Sequence, residues 1–157
     1  MLKITDKIIN ETSDKAKTSK RKRCNHNFHK RYSDPIQRFL NAVEPDSYLR
    51  PHRHEDPDKT EIFLAIKGRV VIVEFDDNGS ISDHFVLDRQ EGMIGVEIPP
   101  KTWHSFIALR EGSVLYEIKE GPFVEWVGMI FAEWAPEEGT EAAREFNEDI
   151  LKELKLA

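Results

Sequence analysis

Two short histidine-bearing segments limit what this chain can fold into. The first, R-P-H-R-H-E-D-P-D-K-T-E-I-F-L-A-I-K-G over 50–68, sets His52 and His54 two residues apart. In an extended strand residues i and i+2 share a face, so both imidazoles point the same way. Glu61 opens the apolar run I-F-L-A-I, and Gly68 closes it with a turn. The second segment, I-P-P-K-T-W-H over 98–104, brings His104. Three imidazoles and one carboxylate carried on strands form a mixed nitrogen and oxygen set that suits a divalent transition metal.

The period-two pattern continues around these segments. S-Y-L-R-P-H-R-H (47–54), E-I-F-L-A-I-K (61–67), V-V-I-V-E-F (70–75), I-S-D-H-F-V-L (81–87), M-I-G-V-E-I (93–98), T-W-H-S-F-I-A-L (102–109) and V-L-Y-E-I-K-E (114–120) read as strands. Between them lie D-D-N-G-S, D-R-Q-E-G, Pro99-Pro100, R-E-G-S and Gly121-Pro122, which read as turns and stops. Many short strands with turns at close spacing predict an all-β antiparallel sandwich or barrel.

The ends read differently. A short helix is expected around Ile4 to Ile9. Asp34-Pro35 can open a second helix, with Ile36, Phe39, Leu40 and Val43 at near-helical spacing. Glu44 to Ser47 is a turn. The apolar stretch 123–135 is a last strand, an edge cover or a dimer surface. From Pro136 the chain reads as a helix, with Thr140 as its cap and an apolar stripe of Phe146, Ile150, Leu151 and Leu154. The expected organisation is a basic arm with a short helix over 1–45, a barrel over 46–135 and a C-terminal helix over 136–157.

With 157 residues, one domain is the economical reading. No apolar run approaches the roughly 18–20 residues that cross a bilayer, and the polar N-terminus has no apolar signal core. The lone Cys24 excludes an intrachain disulfide and a multi-cysteine zinc site. A cytoplasmic location is expected. The net charge of −6 hides an asymmetry: residues 1–31 hold ten Lys/Arg and three Asp/Glu, the remainder thirteen and twenty-six. The run K-T-S-K-R-K-R over 17–23 has no interleaved aromatics, so it is read as an arm that is solvated or packs on the acidic remainder, not as a nucleic-acid surface.

These residues resemble the two cupin motifs. His52-x-His54, Glu61 and Gly68 fit the first; Gly92, Pro99, Lys101 and His104 fit the second. Six residues separate His54 from Glu61 where three or four are usual, and Lys101 stands where a glycine is common. The chain is also similar to the WbuC-type cupin-fold metalloproteins, associated with bacterial surface-polysaccharide gene clusters. R-C-N-H-N-F-H (23–29), D-P-I-Q-R (34–38), R-P-H-R-H (50–54), G-V-E-I-P-P-K-T-W-H (95–104) and E-W-A-P-E-E-G (133–139) fit in order.

The resemblance implies a double-sheet jelly roll and one divalent metal per chain (iron, manganese, nickel or zinc) on His52, His54, Glu61 and His104. By strand parity Tyr48, Arg50, Phe63 and Phe106 are expected to line the same cavity, with Arg50 placed to fork onto an anionic group. Trp103 is expected to point away. Asn25 and His29, in the segment shared with the resembling branch, are candidates to fold over the barrel mouth. Two function classes follow. One is a metal-dependent enzyme, an isomerase or an iron dioxygenase, acting on a small polar substrate such as a sugar or sugar nucleotide in polysaccharide biosynthesis. The other is a non-catalytic cupin that binds or senses a small ligand. The aromatic 123–134 stretch suggests a homodimer.

Overall fold

The computed structural model describes residues 1–124 and 127–156. Two helices flank ten strands: α1 (Asp6–Thr18), β1 (Arg23–Asn27), β2 (Ile36–Val43), β3 (His52–Arg53), β4 (Glu61–Lys67), β5 (Val70–Phe75), β6 (Ile81–Leu87), β7 (Gly95–Ile98), β8 (Trp103–Ala108), β9 (Ser113–Glu120), β10 (Ile130–Phe131) and α2 (Glu141–Glu153). One antiparallel sheet has the order β1-β2-β9-β4-β7 and the other β10-β3-β8-β5-β6. The two pack as the expected double-sheet jelly roll of cupin type. No helix among the described residues is long and apolar enough to cross a membrane.

Three apolar layers hold this arrangement. The inner faces of both sheets meet in a core that includes Val43, Phe63, Ile72, Leu87, Phe106 and Leu115. Helix α1 covers the outside of the first sheet, with Ile9 and Ala16 against Leu40, Ala42 and Val114. Its buried positions Ile9, Thr12, Ser13 and Ala16 fall on one face at helical spacing, and three of them are small enough for close approach to the strands. Helix α2 covers the second sheet, where Ile150, Phe146 and Leu151 meet Val71, Val73, Phe75 and Ile107. The Thr140 side chain accepts a hydrogen bond from Ala143 N–H and so caps α2, as expected.

The helix expected after Asp34-Pro35 is instead strand β2. Its residues pair with β1 on one side and β9 on the other over the whole length. Leu40 and Ala42 face α1, while Val43 faces the barrel core. A strand covered on both faces loses the apolar-polar alternation and shows an apolar run instead. That run mimicked helical spacing.

The turn at Gly68 is glycine by necessity. Its φ is +78°, and a Cβ there would lie 2.8 Å from Ser113 Cα. Of the apolar stretch after Pro122, Ile130–Phe131 forms β10, which pairs with β3 at the sheet edge. Phe123, Val124, Val127 and Ile130 keep substantial exposure. Glu125 and Trp126 of that stretch lie outside the described residues.

Candidate metal centre

The two sheets contribute different halves of one buried cluster. His52 on β3 and His104 on β8 stand directly opposite each other in the second sheet, with ring centroids 4.4 Å apart. His54 follows one residue beyond β3. Glu61 is the first residue of β4 in the first sheet and faces inward. The long 55–60 loop carries the chain across the barrel mouth, which accommodates the wide gap between His54 and Glu61. One potential ligand atom from each of the four residues lies within 4.8 Å of the others. All four residues are buried, none more than 4% exposed.

Backbone carbonyls orient every imidazole. Nδ1 of His52 lies 3.2 Å from Arg50 O, Nδ1 of His54 lies 2.8 Å from Gly128 O, and Nδ1 of His104 lies 2.9 Å from Thr102 O. A carbonyl only accepts, so each Nδ1 carries the proton and each Nε2 presents a lone pair to the interior. His104 Nε2 is 2.9 Å from Glu61 Oε2, and His54 Nε2 is 3.0 Å from Glu61 Oε1 without hydrogen-bond geometry. Lone pairs that close to a carboxylate repel unless a cation lies between them. Burial, and then His104 close by, holds His52 well below its ordinary pKa. Burial pushes the Glu61 carboxyl up, but the Lys119 ammonium and then the flanking histidines draw it well below the usual carboxylate range. Three lone-pair nitrogens and one anionic oxygen at buried positions fit a divalent transition-metal ion.

Charged residues of β9 extend the site, and sequence reading passed over them. Lys119 Nζ lies 2.8 Å from Glu61 Oε1 and 3.4 Å from Glu117 Oε1. Asn41 on β2 donates to Glu117 Oε2 at 3.0 Å. Burial, opposed by Lys119, pushes the Glu117 carboxyl up to about 7. Two carboxylates on either side raise the Lys119 ammonium despite its own burial. The signal was available: in V-L-Y-E-I-K-E, Leu115, Glu117 and Lys119 share the inward parity of β9.

The cluster opens on a cavity of about 400 Å³. Arg50, Phe63, Phe106, Asn25 and His29 all line it. Arg50 is partly committed, since its Nε and Nη2 both donate to Ala132 O, at 3.1 and 2.8 Å. Tyr48 does not line this cavity, contrary to the parity expectation. Its hydroxyl donates to Pro136 O at 2.8 Å and its ring meets Phe146 of α2. The cause is local. Ladder pairing of β3 begins only at His52, so nothing enforces strict alternation back to Tyr48, and Leu49 turns to the core instead. Trp103 points away from the ligands, with its indole N–H on Asp77 and its ring under the Arg53 guanidinium.

The basic arm joins the barrel. Arg23 opens β1, and both Arg21 and Arg23 pair with Glu138, at 2.7 and 2.8 Å. These cations pack on the acidic C-terminal part of the chain.

Solved structures share this architecture. The capsular polysaccharide assembling protein CapF from Staphylococcus aureus superposes with a TM-score of 0.60 at 22% identity, over 74% of this chain and 31% of that one. KdgF from Halomonas sp. superposes with a TM-score of 0.50 at 15% identity, over 66% of this chain and 81% of that one. The chain thus spans about a third of the length of CapF. At these identities the likeness is one of fold. No curated protein sequence matches the chain. The model of a family described as a domain of unknown function, DUF6016, matches residues 4–87, which include α1, the β1–β2 pair, His52, His54 and Glu61, and the chain belongs to that family.

Proposed function

We propose that this protein is a metal-dependent cupin that acts on a small polar substrate of the sugar or sugar-nucleotide class, in surface-polysaccharide metabolism. The observation that carries the metal part is the convergence of three carbonyl-oriented Nε2 lone pairs on the Glu61 carboxylate. The similarity to WbuC-type sequences supports the metabolic context, as does the shared fold with CapF, a capsular polysaccharide assembling protein.

A bound divalent ion supplies Lewis-acid polarisation of a substrate carbonyl or hydroxyl. The chain's own residues do the rest. Lys119 neutralises Glu61 and presents ammonium hydrogens beside the cluster. Glu117 lines the same cavity with a carboxyl whose pKa near 7 lets it take up or release a proton at neutral pH. Asn41 fixes one Glu117 oxygen, so the other faces Lys119. Phe63 and Phe106, with ring centroids 5.7 Å apart, give the cavity an apolar patch beside the cluster. A carboxyl titrating near neutrality beside a Lewis-acid site suits proton transfer between neighbouring carbons, as in an isomerisation.

Metal identity in the protein as purified, followed by thermal-shift measurements with sugar nucleotides, tests this reading. Zinc or manganese with a stabilising sugar nucleotide is the expected result. A metal-free protein whose melting is indifferent to added divalent ions would sink it, and redox-active iron would redirect it to dioxygenation.

A further inference from the structure

The cavity has a second wall, built by β1, β2 and the residues just after β1, that supplies no metal ligand. Asn41 sits beside Asn25 and Phe39 beside Asn27 in the β1–β2 register, and His29 follows with its ring 6.2 Å from that of Phe39. Two polar atoms on this wall are buried and unpartnered: His29 Nε2 and Asn41 Oδ1. Both residues are more than nine-tenths buried and both line the cavity.

Their neighbours limit how each can be satisfied. In an antiparallel strand the N–H and C=O of one residue point to the same side. Arg38 C=O accepts from Phe28 N–H at 2.8 Å, so Arg38 N–H also faces that side, where it meets His29 Nδ1 at 3.1 Å. His29 Nδ1 lies equally close, 3.1 Å, to Arg38 O, so Nε2 is a donor in one tautomer and an acceptor in the other. Asn41 Nδ2 donates to Glu117, so its unpaired atom is the amide oxygen. One end of the wall offers a buried imidazole nitrogen and the other a buried amide acceptor, with the Phe39 ring between them. Unsatisfied buried polar groups are costly, and hydroxyl groups satisfy both kinds.

The charge of the cavity adds a second condition. Four cations line it, Arg21, Arg23, Arg50 and Lys119, against three carboxylates, Glu61, Glu117 and Glu138. Glu138 is shared by Arg21 and Arg23, and Lys119 by Glu61 and Glu117. Among the described residues no carboxylate pairs with Arg50. The cavity is thus positive before any metal binds, in a chain of net charge −6.

We propose that the ligand is a polyhydroxylated organic anion, with hydroxyl groups hydrogen-bonded to His29 Nε2 and donating to Asn41 Oδ1 and its anionic group facing Arg50. This deepens the preceding reading and rests on its assignment of the cavity as the substrate site. Hydroxyls without charge leave Arg50 unanswered, and charge without hydroxyls leaves His29 and Asn41 unanswered.

Calorimetric titration of the full chain with gluconate, sorbitol and hexanoate, with metal content measured on the same samples, tests it. Gluconate is expected to bind at least about tenfold more tightly than either of the others, the scale of one or two lost charged or buried hydrogen bonds. Asn41→Leu and His29→Phe are each expected to weaken gluconate by about tenfold with metal content unchanged, and Arg50→Met to bring gluconate down to the affinity of sorbitol. Metal-loaded protein that binds the three probes alike, or none of them, overturns the inference even if the variants fail to fold. Metal-free wild type that still prefers gluconate upholds this wall and overturns the metal reading. Metal-free protein without preference overturns both.

Discussion

His104 Nε2 lies 2.9 Å from Glu61 Oε2, and this contact joins the two sheets of the barrel at buried positions. With Nδ1 of His104 committed to Thr102 O, the nitrogen facing Glu61 carries a lone pair. Wild-type protein is therefore expected to carry about one divalent ion per chain, with chelation lowering its melting temperature by ligand linkage. The double substitution His52→Ala, His104→Ala is expected to lose the ion, and its melting should no longer respond to chelator. Metal analysis with paired melting curves measures both.

Lys119 holds Glu61 and Glu117 together at buried positions. Removing one partner of a buried ion pair leaves uncompensated charge, at a cost of about 3–5 kcal/mol. Lys119→Met is expected to destabilise the chelated protein by that order. The metal-loaded protein should lose less, because the ion takes over neutralisation of Glu61. Equal losses in urea unfolding with and without chelator would contradict the assignment of Lys119 as the counter-charge of the site.

Glu117 sets a pH dependence of definite sign. Its pKa is raised to about 7 in the folded protein, above the ordinary value of 4.5. Between these values the folded state binds more protons than the unfolded one, so this group's contribution to stability falls as pH rises from about 4.5 through 7, by at most about 3 kcal/mol. Glu117→Gln removes that term. In chelated samples, its stability relative to wild type is expected to improve from pH 5 to pH 8. A flat difference across that range would show that Glu117 ionises normally.

Lys101 has a φ of +67°, in the left-handed region, where its backbone N–H donates to His54 O at 3.0 Å. A side chain there costs roughly 1 kcal/mol relative to glycine, partly returned by the surface pair of Lys101 with Asp58 at 3.3 Å. Lys101→Gly is expected to raise stability by about 0.5–1 kcal/mol without loss of metal. Thermal unfolding of metal-loaded protein measures it, and a loss of stability would mean that the side chain does more than its exposed pairing suggests.

The amino-acid sequence by itself determined the double-sheet barrel, the capped C-terminal helix and the inward facing of His52, His54 and His104. Alternation at period two is a local property that β4 and β9, each with one less buried face, keep visible, while residue type and spacing mark the histidines of β3 and β8. The tertiary structure decided the rest. Ile36–Val43 is a strand because α1 covers its outer face, a contact between segments far apart in the chain. Tyr48 leaves the cavity because the ladder that would hold its parity starts only at His52. Glu117 and Lys119 enter the site, and His29 and Asn41 keep unpaired polar atoms beside it, because long-range pairing sets β1, β2, β9 and β4 side by side in one sheet along one cavity. Which polar groups remain unsatisfied, and which charges remain uncompensated, depends on every neighbour in space, and no local pattern carries that information.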